Sequence, residues 1–149
     1  MWSKYYFNEN NLVKVNFSGN IADKDDYNNF INQWKDLYSE KKNFSFVFDT
    51  INTSFVNPYY SYLMACFIKE LKKETKQYLN FSVIIVKNYA IRALLNIIFA
   101  IQKPVAPVFL INNNDINKEI ISEILNVNSE EELKILVENN KTKFSIVNV

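Results

Sequence analysis

The sequence predicts an α/β fold: a single domain over residues 1–149, with a mostly parallel mixed sheet, an N-terminal hairpin and four to five helices. Three observations predict it. Segments with strand periodicity alternate with segments of helical periodicity, the order that builds βα units. The run Phe81 to Val86 is rich in β-branched and aromatic residues with no polar alternation, the pattern of a strand covered on both faces. Near the N-terminus, Val13, Val15 and Phe17 alternate with Lys14 and Asn16, as in a strand with one wet face.

The elements follow in order. Tyr5 to Phe7 and Leu12 to Phe17 flank the polar turn Asn8-Glu9-Asn10-Asn11 and form the hairpin, which Gly19 and Asn20 end. Asp23 suits a helix N-cap, with Asp26 complementing the dipole. Tyr27, Phe30, Ile31, Trp34, Leu37 and Tyr38 recur at spacings of three and four, so a helix runs to about Glu40. Phe44 to Phe48 is a strand ending at Asp49. Pro58 suits the first turn of a second helix, predicted to reach Gln77 with Lys69, Lys72, Lys73 and Lys76 on its wet face. After the strand at Phe81 to Val86, Tyr89 to Gln102 forms a third helix, stopped by Pro104. Val105 to Ile111 is a strand in which Pro107 implies an edge position or a strand start. Asp115 to Leu125 is a fourth helix, Ser129 to Glu132 form a capping box before a fifth, and Phe144 to Val149 is a β-prone tail.

Composition excludes several function classes. With 149 residues, 48% hydrophobic and 15% aromatic, the chain can bury a core and is not of the disordered class. Its 17 basic and 16 acidic residues give a net charge of +1, short of the footprint of a nucleic-acid binder. The chain has no His, one Cys and one Gly. His-based catalysis, Cys-rich zinc sites and glycine-rich phosphate loops are thereby excluded, so no metal, nucleotide or other cofactor is expected. Asp25 and Asp26 are adjacent and face different sides of a helix, and Cys66 has no activating base in view, so the chain is not expected to be an enzyme. The start Met1-Trp2-Ser3-Lys4 lacks a signal peptide's apolar run, and no stretch approaches the roughly 18 apolar residues of a membrane span. A cytoplasmic location is expected. Asn is abundant, 23 residues in all, together with Ile, Lys, Tyr and Phe. All five have AT-rich codons, which points to an AT-rich genome such as those of some giant viruses, protists and low-GC microbes.

Two stretches carry a family resemblance. Phe46-Val47-Phe48-Asp49 followed by Ser54-Phe55-Val56-Asn57-Pro58-Tyr59-Tyr60 resembles the STAS family, the anti-sigma-factor antagonists, over roughly Leu12 to Leu125. In that family a strand ending in Asp leads through a loop to Asp-Ser-Ser-Gly at a helix start, and a partner kinase phosphorylates the second Ser. Here Asn57 stands at the Asp position, Pro58 and Tyr59 replace the serines, and Tyr60 replaces the Gly. The resemblance thus implies an α/β interaction module without the phosphoacceptor, binding a protein partner or pairing as a homodimer. A looser resemblance is to the lipid-binding lobe of CRAL-TRIO proteins, through Val83-Ile84-Ile85-Val86-Lys87-Asn88, Ile91-Arg92-Ala93-Leu94-Leu95 and Lys103-Pro104-Val105. It implies a small lipid or apolar-ligand carrier as the alternative.

Candidate binding residues follow from topology. Loops after parallel strands meet at one sheet edge, and ligands favour that edge. Asp49, Asn57, Lys87 and Arg92 are expected there, with Tyr59 at the position of the missing phosphoacceptor. Arg92, in the first turn of its helix, can help that helix end hold an anion or can pair with Asp49. The third helix is apolar over about 200°, where a sheet-packed helix needs a stripe of about 100°. Leu94, Ile97, Ile98 and Phe99 are therefore candidate interface residues, with Ile97 and Phe99 at opposite margins. The excess arc is covered by the C-terminal helix, by a partner, or by an apolar ligand. An apolar cavity beneath this helix favours the carrier, and a filled core with an apolar outer patch favours the interaction module.

Overall fold

The computed structural model describes residues 2–8, 10–21 and 23–149; Met1 and Glu9, of the N-terminal run and the predicted turn, lie outside them. The described chain runs β1 (Ser3–Phe7), β2 (Leu12–Gly19), α1 (Lys24–Ser39), β3 (Phe44–Thr53), α2 (Pro58–Leu71), β4 (Leu79–Val86), α3 (Tyr89–Ile101), β5 (Val108–Asn112), α4 (Lys118–Asn126), α5 (Glu130–Asn139) and β6 (Ser145–Val147). The six strands form one sheet in the order β1-β2-β3-β4-β5-β6. β2 to β5 are parallel, and β1 and β6 close the two edges antiparallel to their neighbours. The predicted α/β class, hairpin and mixed sheet are the observed ones.

The strand order never reverses, and this decides where the helices go. Right-handed crossovers between strands added in one direction put each connecting helix on the same face. Side chains of α1, α2 and α3 (Phe30, Trp34, Phe67, Ile91) accordingly share one core with Val15, Phe46, Phe48, Ile84 and Leu110 of the sheet. The opposite face is closed by α4 and α5, whose Ile121, Ile124, Leu133 and Val137 pack on Val47, Val83, Ile85 and Ile111. The first core is aromatic: Trp34 alone lies within ring-contact distance of Phe30, Phe46, Phe48 and Phe67. The second is mainly aliphatic.

Element ends obey local chemistry. Asp23 caps α1 by accepting from the Asp26 N–H (3.1 Å), and Ser129 caps α5 by accepting from the Glu132 N–H (3.1 Å). Gly19, the single glycine, ends β2 at φ +66°, a left-handed conformation that costs other residues more. Asn8 organises the hairpin turn, its side-chain oxygen accepting from the N–H groups of Asn10 and Leu12. The amides of Asn8 and Asn10 then donate to the Asn128 carbonyl, tying the turn to the α4–α5 connection.

Several boundaries differ from the sequence reading, α4 for instance starting at Lys118 instead of Asp115, and three of the differences bear on the site. α2 stops at Leu71 instead of Gln77, because the Gln77 side chain folds back and donates to the Leu71 carbonyl (2.8 Å). Of the predicted lysine stripe only Lys69 is therefore helical; Lys72 is the C-cap, and Lys73 and Lys76 lie in the following turn. β3 continues past Asp49 to Thr53, paired with β2 through Gly19. Pro107 lies just before β5, where no ladder N–H is needed, and β5 is an inner strand because β6 covers it.

Candidate functional site

The carboxyl ends of β2 to β5 lie along one sheet edge, and the side chains there sort into separate groups. The Asp49 carboxylate accepts from the Ile51 N–H (2.9 Å), stabilising its own strand end. Thr50 donates to the Ile85 carbonyl (2.6 Å) and accepts from the Lys87 N–H (3.3 Å), while Lys87 Nζ donates to the Thr53 carbonyl (2.7 Å). These bonds clasp β3 to β4. Arg92 does not pair with Asp49, contrary to that expectation: its Nε (3.1 Å) and Nη2 (2.7 Å) both donate to Asn112 Oδ1. The reason is topological, since β5, which ends at Asn112, flanks β4 on the side away from β3. Asn117 completes this second group by donating to the Asn112 carbonyl (3.0 Å). Asn57 caps α2 by accepting from the Tyr59 N–H (2.9 Å), and the Tyr59 side chain is exposed. The structure thus places Lys87 with Thr50 and Thr53, Arg92 with Asn112, and Asn57 with Tyr59 at the start of α2.

An apolar feature lies beneath the helices. Between α1, α2, α3 and the sheet is a cavity of about 160 Å³, comparable to those that hold benzene or xenon in other proteins. Its walls come from Phe30 and Trp34 of α1, Tyr60, Met64 and Ile68 of α2, Leu94, Leu95, Ile98 and Phe99 of α3, and Phe48, Ile84 and Val108 of the sheet. No charged side chain lines it. Two small buried residues, Ser82 of β4 and Ala106 before β5, are part of its wall. α3 bridges this space: only its Ile91 and Ile98 are buried, while Leu94, Leu95 and Phe99 are half-buried and pack against the core.

The four candidate interface residues therefore divide. Ile98 faces the sheet, and Leu94 and Phe99 border the cavity. Ile97 is 44% exposed and, with Ile101 at 55%, forms an outward apolar strip. The C-terminal helix does not cover the excess arc of α3, a correction to that option. α5 packs on the opposite face of the sheet, because the β5-to-β6 connection joins antiparallel neighbours and is free of the crossover rule.

Polar atoms on the cavity wall are few. Burial holds the Tyr27 phenol well above its usual range, with the nearby Cys66 and Glu70 adding to the rise. The indole N–H groups of Trp2 and Trp34 and the hydroxyl of Thr53 are buried and have no hydrogen-bond partner among the described residues. Sequence reasoning missed Trp2, Trp34 and Thr53 as site residues. Trp34 sits at a core spacing of α1, and Thr53 follows the predicted strand end, so neither carries a local signal. Among the described residues, no three Cys, Asp or Glu side chains converge as a metal site would require, and no helix is long and apolar enough to cross a membrane. Compared with known proteins, the chain matches no protein-family model and no curated protein.

Proposed function

We propose that this protein is a non-catalytic, STAS-like binding domain that holds a small apolar ligand between α2, α3 and the sheet. The cavity carries the reading: it is apolar, bounded by three helices and roofed by a helix with only two buried residues. Filling such a space restores dispersion contacts that its lining side chains otherwise lack. The polar groups at the sheet edge support a binding role over a catalytic one, since Thr50, Lys87, Arg92 and Asn112 are all engaged in bonds that join elements of the fold. Asn57-Pro58-Tyr59 serves as a helix start, and no phosphorylation switch operates there.

Toluene and methylcyclohexane test the reading. Either hydrocarbon at 100 times its Kd adds about 2.7 kcal/mol of stability, a rise of several degrees in Tm. Both tryptophans of the chain line the cavity, so tryptophan emission changes with the same midpoint. An unchanged Tm and unchanged emission up to the solubility limit of both compounds would refute it.

The outward strip of Ile97 and Ile101 supports a second reading, self-association or docking of a protein partner through α3. Sedimentation velocity on the wild type and on Ile97→Glu decides it. A dimer that Ile97→Glu converts to a folded monomer supports this reading, and a wild type that stays monomeric at high concentration removes self-association.

A further inference from the structure

The outer surfaces of α2 and α3 carry almost no charge. The two helices are neighbours on the same face of the sheet and pack side by side. From Pro58 to Ile68, α2 contains no Lys, Arg, Asp or Glu, and the single charged residue of α3, Arg92, is bonded to Asn112. The wet side of a surface helix is normally charged or polar. Here the exposed positions of α2 are Tyr59, Tyr62 and Cys66, and those of α3 include Ala90, Ala93, Ile97 and Ala100. Each set repeats at spacings of three and four, the seam spacing of helices that pack on other helices. Tyr89, at the start of α3, is 91% exposed, and Ile101 prolongs the strip at its end. Lys69 and Glu70 form a charged rim towards the end of α2.

We propose that this patch is a homodimer interface, in which α2 and α3 of one copy pack across α2 and α3 of a second. The inference deepens the self-association reading above and rests on it. Three observations select a second copy as the occupant. The first is area. Tyr59, Tyr62, Tyr89 and Ile101 are each more than half exposed, and Ile97 is 44% exposed. At about 150–250 Å² per aromatic side chain, these five residues with Cys66 and the exposed alanines present on the order of 700 Å². A stable interface buries about 800 Å² per partner, so the patch by itself is close to a whole interface. The second is charge. Nucleic acid or an anionic membrane needs cations, and a charged peptide needs a counter-charge, neither of which the centre of the patch supplies. Under a two-fold axis the patch meets itself, and an uncharged patch does so without like-charge repulsion. The third is relief. Projecting tyrosines lie on α2 and small alanines on α3, so the bulky side chains of one copy can seat on the shallow positions of the other.

Sedimentation velocity on the whole chain over a concentration series reads the dimer, with circular dichroism to verify folding. The wild type is expected to dimerise with a Kd in the micromolar range, since the area lies at the low end of stable interfaces. Ala93→Arg and Tyr62→Glu each place a charge inside the patch at a position that is exposed in the single copy. Each is expected to weaken the dimer at least about tenfold, because the charge is buried without a partner. Ile135→Glu, at an exposed position of α5 across the sheet, is expected to leave it unchanged. Cys66, the sole cysteine, reports on α2 without any substitution. Its alkylation by N-ethylmaleimide is expected to slow as the wild type dimerises, and to be independent of concentration in Ala93→Arg. A wild type that is still monomeric at about 1 mM, where micromolar dimers are saturated, overturns this inference together with the self-association reading. A dimer that Ala93→Arg disrupts but Tyr62→Glu does not, with a Cys66 rate independent of concentration, overturns the two-helix face while self-association through α3 stands. A dimer that resists both substitutions and Ile97→Glu lies on another surface and overturns both.

Discussion

Tyr5 shows how a single buried group sets a pH limit. Its hydroxyl donates to the Phe30 carbonyl (2.8 Å), and burial holds its pKa far above the usual value of 10.0. Burial likewise raises Tyr27 and Tyr38, the latter bonded to Gln77 Oε1 (2.6 Å). In each case the folded pKa exceeds the unfolded one. The stabilisation is therefore complete below pH 10 and is lost as pH rises above it, when the unfolded chain gives up protons that the native chain keeps. Each such tyrosine steepens the loss by about 1.4 kcal/mol per pH unit. Lys14 acts in the opposite sense: burial lowers its pKa, outweighing the raising effect of Glu132, so its penalty fades as pH approaches 10.5. Urea unfolding at half-unit steps from pH 8 to 11.5 is expected to show stability falling above pH 10, and Tyr5→Phe to reduce that slope by one proton. An unchanged slope in Tyr5→Phe would contradict the assignment. Gly19 carries a second expectation at this scale. A Cβ there meets nothing within 4 Å, so Gly19→Ala costs only the left-handed backbone, about 1 kcal/mol by chemical denaturation. Gly19→Asn costs less, because Asn tolerates that conformation.

Among the elements, α3 departs furthest from a simple amphipathic helix. Its inner residues border an apolar cavity instead of a filled core, and its outer strip meets solvent. The two sides respond differently to charge. Ile97→Glu is expected to fold with a Tm within about 2 °C of wild type, because the side chain already reaches water. Ile98→Glu, one residue on and 9% exposed, buries an unpaired carboxylate and costs several kcal/mol. Circular dichroism melts of the two variants check this, and equal losses would mean that the outer strip is also covered. α5 offers a local comparison. Ser129→Ala removes the bond to the Glu132 N–H and costs about 1 kcal/mol, without altering the cavity on the other face.

Across the whole molecule, the sheet separates two cores with different tasks. The α4–α5 side is filled: Ile124 and Leu133 are fully buried among aliphatic neighbours. Ile124→Ala is expected to cost about 2–5 kcal/mol through the void it leaves. Affinity for toluene in the opposite core is expected to stay unchanged, since well-separated sites perturb stability and binding independently. Urea denaturation and calorimetric titration of the same variant measure the two quantities. A parallel loss of affinity would show that the two faces are coupled through β4.

Local pattern was sufficient for the elements and for the fold class. The spacing from Tyr27 to Tyr38, the unalternating run at Phe81 to Val86, the caps at Asp23 and Ser129 and the first-turn Pro58 are features within a few residues of sequence, and each is visible in the string. The right-handed crossover then limits how βα units can stack. The partner of Arg92, the face that α5 covers and the early stop of α2 depend on chain segments brought together only by folding, with Gln77 turning back on Leu71 and Asn112 arriving from another strand. The cavity is the extreme case. Its wall brings Ser82 and Ala106 together with half-buried residues of α2 and α3, so volume at that point is set by side chains distant in sequence. Periodicity assigns a residue to a face; whether the facing side chains meet or leave a space is decided only by tertiary packing.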